Sequence, residues 1–211
     1  MLTWNDYIQI FIVILVIVNP IGAIPFFVGL TTEQTSSDKK ATARIAAISV
    51  AIILVIACLT GDVLLRFFGI SIGAFRIGGG ILLLIMSLTM IHAKQSHVKH
   101  SPEEAEEAQE KENVAVVPLA IPLMAGPAAI STVVIYSHKA EGMFNFLFVL
   151  GSCLVTAFLV WIALRLASPI ANMLGRTGIN IVTRVMGLLL TAIAVQFIAE
   201  GVGMIFPGIN K

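Results

Sequence analysis

The amino-acid sequence predicts an all-α integral membrane protein, with six transmembrane helices arranged as two inverted three-helix repeats and with the first and fourth helices broken. Three observations lead to this prediction: the composition, six long apolar runs, and a proline–glycine motif that occurs twice. Of the 211 residues, 58% are hydrophobic and only 12% are charged, whereas about 25% of the residues in a soluble domain are charged. The expected surroundings are a lipid bilayer, and the net charge of +1 gives no reason to expect a nucleic-acid partner.

Six apolar runs are long enough to cross a bilayer, which takes about 20 residues in a helix. Helices are expected because lipid cannot satisfy the backbone groups of an open strand. The runs cover residues 7–30, 41–65, 72–92, 114–137, 144–167 and 181–206. They divide the chain into a first repeat (1–93), a charged loop (94–113) that we expect to be a solvated cytoplasmic linker, and a second repeat (114–211).

The distribution of Lys and Arg predicts the orientation, because cytoplasmic loops carry an excess of both. The loops after spans one, three and five hold nine of these residues, and the opposite side holds four. Both termini are therefore expected on the periplasmic or extracellular side of a bacterial-type inner membrane. The first apolar run has neither a preceding Lys or Arg nor a following cleavage site, so we expect it to remain as a span and not to be removed as a signal peptide.

A proline–glycine motif occurs once in each half of the chain. Span one contains Pro20-Ile21-Gly22-Ala23-Ile24-Pro25, and span four contains Pro122-Leu123-Met124-Ala125-Gly126-Pro127. Spans three and six both open on an arginine that is followed by glycine and an aliphatic run, at Arg76 and at Arg184. Three spans separate each element from its copy. Because this number is odd, the copy is inverted relative to the membrane, as in many secondary transporters.

Two prolines five residues apart, with a glycine between them, should unwind about one helical turn. The freed N–H and C=O groups cost on the order of several kcal/mol each unless protein, water or a ligand satisfies them. The new helix ends carry partial charges, so they can bind the carboxylate and the ammonium group of a zwitterion. The alternative is that the prolines only kink two helices for packing. The predicted substrate-binding residues are Asn19, Pro20, Gly22, Ala23, Pro25, Pro122, Ala125, Gly126, Pro127, Ser131 and Thr132.

Three further side chains are predicted to be gating or structural: Arg76, Arg184 and Gln196. An arginine in hydrocarbon is costly unless it is paired or reaches the interface. The two arginines either anchor their helices at opposite faces or gate access, and Asp62 and Glu200 are the expected carboxylate partners. Gln196 is expected to hydrogen-bond between helices.

The sequence lacks the motifs of several membrane enzymes and channels. It contains no H-E-x-x-H zinc motif and no potassium-filter sequence. Its four histidines match no pattern of metal ligands. We therefore predict a non-enzyme without a metal or cofactor. Cys58 and Cys153 each lie in an apolar run and are expected to be buried packing residues.

Three segments of the chain resemble the MarC family, which is also called the small neutral amino acid transporter (SnatA) family. They are NPIGAIPFF at residues 19–27, VPLAIPLMAGPAAIST at 117–132 and GINIVTRVMGL at 178–188. The resemblance extends over nearly the whole chain. It implies six spans, an inner-membrane location and, in at least some members, transport of glycine, alanine and similar amino acids.

The resulting hypothesis is a secondary transporter of small neutral amino acids, of the glycine and alanine class, that works by alternating access. One alternative is an exporter of another small metabolite. Another is a membrane scaffold or regulator that does not transport, for which the charged loop would be the interaction surface. Coupling to Na⁺ or to H⁺ stays open, because the spans hold almost no Asp, Glu or His in their interiors. The oligomeric state is not predicted.

Overall fold

A computed structural model describes residues 4–92, 124–140 and 142–206, and all regular structure in these ranges is helical. Within them, seven helices follow one another: α1 Trp4–Val18, α2 Pro20–Leu30, α3 Ser36–Phe67, α4 Ile72–Ile91, α5 Pro127–Lys139, α6 Met143–Arg165 and α7 Ala167–Ile205. Together α1 and α2 form the broken first span. The charged loop (94–113) and the first part of the predicted fourth span lie outside the described residues.

Successive spans run in alternating directions through the bundle. Tyr7 at the start of α1 donates its hydroxyl to Asn145 at the start of α6, at 2.6 Å. Asp62 near the end of α3 contacts His138 near the end of α5, and the end of α7 packs beside the start of α4. We call this end of the bundle, where α1 begins and α7 ends, the terminal face. The opposite end, where α2 and α6 end, is the loop face.

Among the described residues, five helical segments are long and apolar enough to cross a membrane. The outward surfaces of these helices are apolar: Ile48, Ile52 and Ile56 follow one side of α3 at a spacing of four, and each is more than half exposed. An exposed stripe of this kind suits lipid and not water. These helices confirm an all-α membrane protein. The five segments are Trp4–Leu30 with its break, Ser36–Phe67, Ile72–Ile91, Met143–Arg165 and Thr177–Ile205.

The predicted boundaries of spans two, three and five agree with α3, α4 and α6 to within a few residues. The sixth predicted span, 181–206, lies within a longer helix, because α7 already begins at Ala167. The path of α7 is interrupted at Gly175, where φ is 61° and ψ is −179°. Glycine adopts a positive φ at little cost. This kink separates a short segment at the loop face from the spanning segment, which begins at Thr177.

Helices α4 and α7 form the most extensive helix pair among the described residues, and glycines bring their backbones together. A Cβ added to Gly201 would lie 2.7 Å from the carbonyl oxygen of Gly73. Thr191 on α7 also donates a hydrogen bond to Ser87 on α4, at 2.9 Å. Small residues of this kind allow the close backbone contact that drives helix association in lipid. The pair therefore has little room for one helix to slide along the other.

Candidate functional site

The first helix break is at Asn19, between α1 and α2. Its backbone is left-handed, with φ 52° and ψ 61°, a conformation that costs a non-glycine residue about 1–2 kcal/mol. Its side-chain Oδ1 accepts a hydrogen bond from the N–H of Gly22 at 3.0 Å and so caps α2. Its Nδ2 lies 3.7 Å from the sulfur of Met90 on α4, and Asn19 is only 3% exposed. Strained, buried polar residues of this kind cluster at functional sites.

The break is smaller than the two prolines predict. The helix resumes at Pro20, where the missing N–H of proline is not needed, and it continues through Pro25. The prediction that a full turn unwinds is therefore wrong for this half. A single residue turns the chain, because asparagine both tolerates the left-handed conformation and caps the next helix. The N–H groups after Pro25 lie inside α2, so they do not form the anion site that the sequence indicates there.

The second break lies just before Pro127, where α5 begins. Gly126 at the N-cap position is extended, with φ −76° and ψ −178°, and no side chain among the described residues caps the helix there. Gly126 is buried, and Ala125 and Ala128 are 1% and 7% exposed, whereas Pro127 itself is exposed. This helix start is therefore lined by small buried residues on one side and is open on the side of Pro127. The first proline of this motif, Pro122, lies outside the described residues.

The start of α5 carries backbone donors that the helix itself does not use. Proline has no N–H, and the N–H of Ile130 already donates to the carbonyl of Gly126, at 3.0 Å. The N–H groups of Ala128 and Ala129 are the remaining donors of the first turn, and neither has a backbone acceptor outside the helix among the residues that the structure describes. Together with the positive end of the helix dipole, they form a group to which an anion can bind.

The two helix starts face the same layer of the bundle. Asn19 contacts Met90 on α4, whereas Ser131 of α5 packs against Gly79 of the same helix. Those two positions on α4 are 11 residues apart, which is about 16 Å along a helix. Helix α2 runs from the level of Met90 towards the loop face, whereas α5 runs past the level of Gly79 towards the terminal face. The N-termini of both helices therefore point into the space between the levels of Met90 and Gly79.

The two predicted hydroxyl residues of α5 are buried, but their protons are used within the helix. Ser131 and Thr132 both donate to the carbonyl of Ala128, at 3.0 Å and 2.8 Å. Their oxygen atoms retain lone pairs, so each hydroxyl can still accept a hydrogen bond or bind a cation. They can therefore act as acceptors at the site and not as donors.

Among the described residues, one small cleft lies beside the first break, between α2 and the kinked start of α7. Its volume is about 10 Å³ and its lining is mostly apolar. It is too small for an amino acid, and the half-buried Pro25 contributes to its wall. The lining residues are Ile21, Ile24, Pro25, Leu174, Ile179, Val182 and Thr183.

A second polar group lies near the terminal face, around Arg76. This arginine is 2% exposed, its Nη1 forms an ion pair with Oε2 of Glu200 on α7, and its guanidinium carbon is 5.2 Å from the ring centroid of Phe197. The other oxygen of Glu200 accepts from Nε2 of Gln196 at 2.8 Å. The contact between Nη1 of Arg76 and Glu200 does not have the geometry of a hydrogen bond, and Nε of Arg76 has no acceptor within the described part of the chain. The side chains of Arg76, Gln196 and Glu200 are called the Arg76 cluster below.

The charges of the Arg76 cluster change the pKa of the last residue of α5. Burial lowers the pKa of Lys139, the last residue of α5, and the positive charge of Arg76 lowers it further, while Glu200 acts in the opposite direction. The Arg76 cluster therefore lies at the meeting point of α4, α5 and α7.

The structure corrects two of the sequence predictions that concern the gating residues. Asp62 pairs with Arg66 at 2.9 Å and with His138, so it is not a partner of either predicted arginine. Arg184 is exposed, and its role as a helix anchor or a gate stays a prediction. Gln196 bonds within its own helix, so the predicted interhelical hydrogen bond is wrong.

Comparison with known proteins identifies the family. The family model described as MarC family integral membrane protein matches residues 4–206. The chain belongs to the MarC family. It is 41% identical over 206 residues to UPF0056 membrane protein YhcE of Escherichia coli (strain K12), which covers 96% of this chain and 94% of that protein. It is 40% identical over 203 residues to UPF0056 membrane protein BU267 of Buchnera aphidicola, with the same coverage. No solved structure gives a significant match.

Membership of the MarC family establishes an integral membrane protein, and a third relative is similar over nearly the whole chain. UPF0056 membrane protein MJ1677 of Methanocaldococcus jannaschii is 39% identical over 196 residues, which covers 93% of this chain and 95% of that protein. The names of these relatives give no substrate and no catalytic activity.

Three contacts of the site in this MarC chain are missing from the sequence prediction. Met90 lies against the amide of Asn19, Gly79 receives Ser131, and Phe197 covers Arg76. The run Gly78-Gly79-Gly80 was a signal of close packing on α4, but it could not show which helix approaches which glycine. The contacts of Met90 and Phe197 depend on the tertiary arrangement and have no signal in the sequence.

Proposed function

We propose that this chain is a secondary transporter of small neutral amino acids, of the glycine and alanine class, that works by alternating access. The observation that carries the proposal is that two helix N-termini point into one layer of a membrane-spanning bundle, next to the C-terminal end of α1. Helix ends within an apolar bundle need partners for their polar backbone groups. Broken helices of this kind form the substrate sites of many secondary transporters.

The polar groups at the two breaks complement a zwitterion. The carboxylate of the substrate would accept hydrogen bonds from the N–H groups of Ala128 and Ala129, at the positive end of the α5 dipole. Its ammonium group would donate to the carbonyl groups that end α1 and to the side chain of Asn19. Small, buried residues surround both breaks, which favours a substrate with a small side chain: Gly22, Ala23, Ala125 and Gly126.

We also propose that the two halves are related by a pseudo-two-fold axis in the membrane plane. The packing of the helices supports this symmetry. Helix α3 packs on α6, and α4 packs on α7, so each of these helices contacts its own counterpart. Helix α5 contacts α3 and α4, and the broken first span contacts α6 and α7 in the corresponding way. An inverted repeat produces paired contacts of this kind.

The proposed setting is the inner membrane of a bacterium, with both termini on the periplasmic side. Of the two coupling ions that we considered, Na⁺ suits the site better. The hydroxyl oxygens of Ser131 and Thr132 retain lone pairs and are hard acceptors to which Na⁺ can bind. Coupling to H⁺ would need a titratable side chain at the breaks, and the described residues at these two positions are asparagine, glycine, alanine and proline.

Transport in proteoliposomes tests the proposal. The purified full-length chain should take up labelled glycine and alanine, and an imposed Na⁺ gradient should raise the uptake more than an H⁺ gradient does. The combined variant Asn19→Leu and Gly126→Leu should lower the uptake at least ten-fold, because it fills both breaks. The matched control is Gly29→Leu with Gly151→Leu, since nothing lies within 4 Å of a Cβ at either position.

The outcomes separate the proposal from its alternatives. If the Asn19→Leu, Gly126→Leu variant takes up as much labelled glycine and alanine as the wild type does, the proposed substrate site is wrong. Uptake of another small metabolite, with glycine and alanine failing to compete, would favour the exporter. A chain that moves no solute but binds a partner protein through residues 94–113 would favour the scaffold.

A further inference from the structure

The Arg76 cluster holds more polar capacity than a structural ion pair needs. A buried guanidinium usually finds acceptors for most of its five N–H groups. The side chain of Arg76 is only 3% exposed, so water does not hydrate it freely, and yet its Nε has no acceptor among the described residues. The carboxylate that faces it, Glu200, is 36% exposed and divides its two oxygens between Arg76 and the exposed Gln196. The anionic partner can therefore move towards solvent, while the cationic partner is fixed beneath the ring of Phe197.

The position of the cluster connects it with the breaks. Arg76 lies three residues before Gly79 on α4, which is less than one helical turn and about 4.5 Å along the axis. Gly79 in turn contacts Ser131, in the second turn of α5. The cluster therefore lies between the terminal face and the start of α5, along the same two helices that lead to the proposed substrate site.

We propose that the Arg76 cluster is a second amino-acid site, into which a zwitterion inserts with its carboxylate on Arg76 and its ammonium group on Glu200. Insertion separates the ion pair, but each charge gains a new partner of opposite sign. A simple anion would leave Glu200 without its cation, and a simple cation would leave Arg76 without its anion. Leaving the buried Arg76 unpaired would be strongly destabilising, and a simple anion offers Glu200 no replacement cation, so both charges are paired only when a zwitterion binds. The inference rests on the proposed substrate class, and it adds a docking step at the terminal face.

A local fluorescence reporter tests the proposal without transport. In the full-length Phe197→Trp variant, the new indole lies over the guanidinium, and its emission should change with glycine in a saturable way. Arg76→Gln or Glu200→Gln in that background should weaken the apparent affinity at least ten-fold. Acetate alone and methylamine alone should give no saturable change. The matched control is Arg66→Gln, which removes an exposed arginine at the same face and should leave the affinity for glycine unchanged.

A second measurement keeps the native Phe197. Equilibrium dialysis with labelled glycine should show binding that survives in the Asn19→Leu, Gly126→Leu variant and disappears when Arg76→Gln is added. The inference is overturned if neither method shows binding that depends on Arg76, or if acetate alone binds as well as glycine. It is also overturned if Arg76→Gln and Glu200→Gln lower the melting temperature but leave the affinity unchanged, because the pair would then be structural.

The two proposals fail in different ways. If filling the breaks with leucine leaves uptake unchanged, the proposed transport site is wrong, yet the reporter at Phe197 still measures the second site. If the reporter shows no binding but uptake depends on the breaks, the transport proposal stands and the docking site does not.

Discussion

The side chain of Asn19 fills the space that a Cβ on Gly22 would occupy. Such a Cβ would lie 2.7 Å from Cγ and 2.8 Å from Oδ1 of Asn19, well inside van der Waals contact. The cap of α2 therefore depends on a glycine three residues beyond the capping residue. The spacing of asparagine, proline and glycine in this motif thus has a steric cause, because the cap needs both the left-handed residue and the missing side chain.

The first prediction is that Gly22→Ala lowers uptake of labelled alanine at least ten-fold. The added methyl group must displace the amide of Asn19 from the start of α2, and the loss of an N-cap costs about 0.5–2 kcal/mol in stability. Gly29→Ala lies on the same helix with open space around its Cβ and should behave as the wild type. Proteoliposome uptake and thermal unfolding measure both effects. Wild-type uptake by Gly22→Ala would contradict the role of this cap in transport.

The second prediction separates the strain at Asn19 from its side-chain contacts. Asn19→Gly removes the cap but relieves the left-handed strain, which is worth about 1–2 kcal/mol. Asn19→Ala removes the cap and keeps the strain. We therefore expect the glycine variant to be the more stable of the two, by about 1 kcal/mol or more, while both lose uptake because the amide is absent. Reversible unfolding in mixed micelles measures the difference. An alanine variant as stable as the glycine variant would show that φ at this position is not left-handed in the membrane.

The third prediction concerns the contact between α4 and α5. A Cβ on Gly79 would lie 2.8 Å from Cβ of Ser131 and still closer to its hydroxyl oxygen. Gly79→Ala should therefore destabilise the protein by about 1–3 kcal/mol, whereas Gly78→Ala, which has open space, should not. Adding Ser131→Gly should recover most of the loss. Because the two residues touch, a double-mutant cycle should show a coupling of about 0.5 kcal/mol or more, and simple additivity would argue against the contact.

The length and apolarity of the spans could be predicted from the sequence, because each run is long enough to cross a membrane on its own. The presence of a break in the first span could also be predicted, since a residue before proline is disfavoured in the helical conformation. The place where the chain turns could not be predicted. Asn19 and Pro25 compete to interrupt the helix, and the outcome depends on whether a cap can form, which is a matter of three-dimensional contact.

The Arg76 cluster shows a similar limit. The pairing of Gln196 with Glu200 could have been found from their spacing of four residues, which places them on one side of a helix. The burial of Arg76 could not have been found in this way, because it depends on how closely the glycines of α4 and α7 allow the two helices to approach each other. The ring of Phe197 covers the guanidinium only as a result of that approach.

The last prediction is the orientation of the bundle, which the excess of Lys and Arg in the loops after spans one, three and five indicates. Phe67 near the terminal face and Met173 near the loop face are both 81% exposed, so they form a matched pair for labelling. In a Cys58→Ala, Cys153→Ala background, Phe67→Cys should react with a membrane-impermeant maleimide in intact cells. Met173→Cys should react only after the cells are opened, because cytoplasmic loops carry the excess positive charge. The reverse pattern would place the terminal face in the cytoplasm, and the Arg76 cluster would then bind an amino acid before export instead of before uptake.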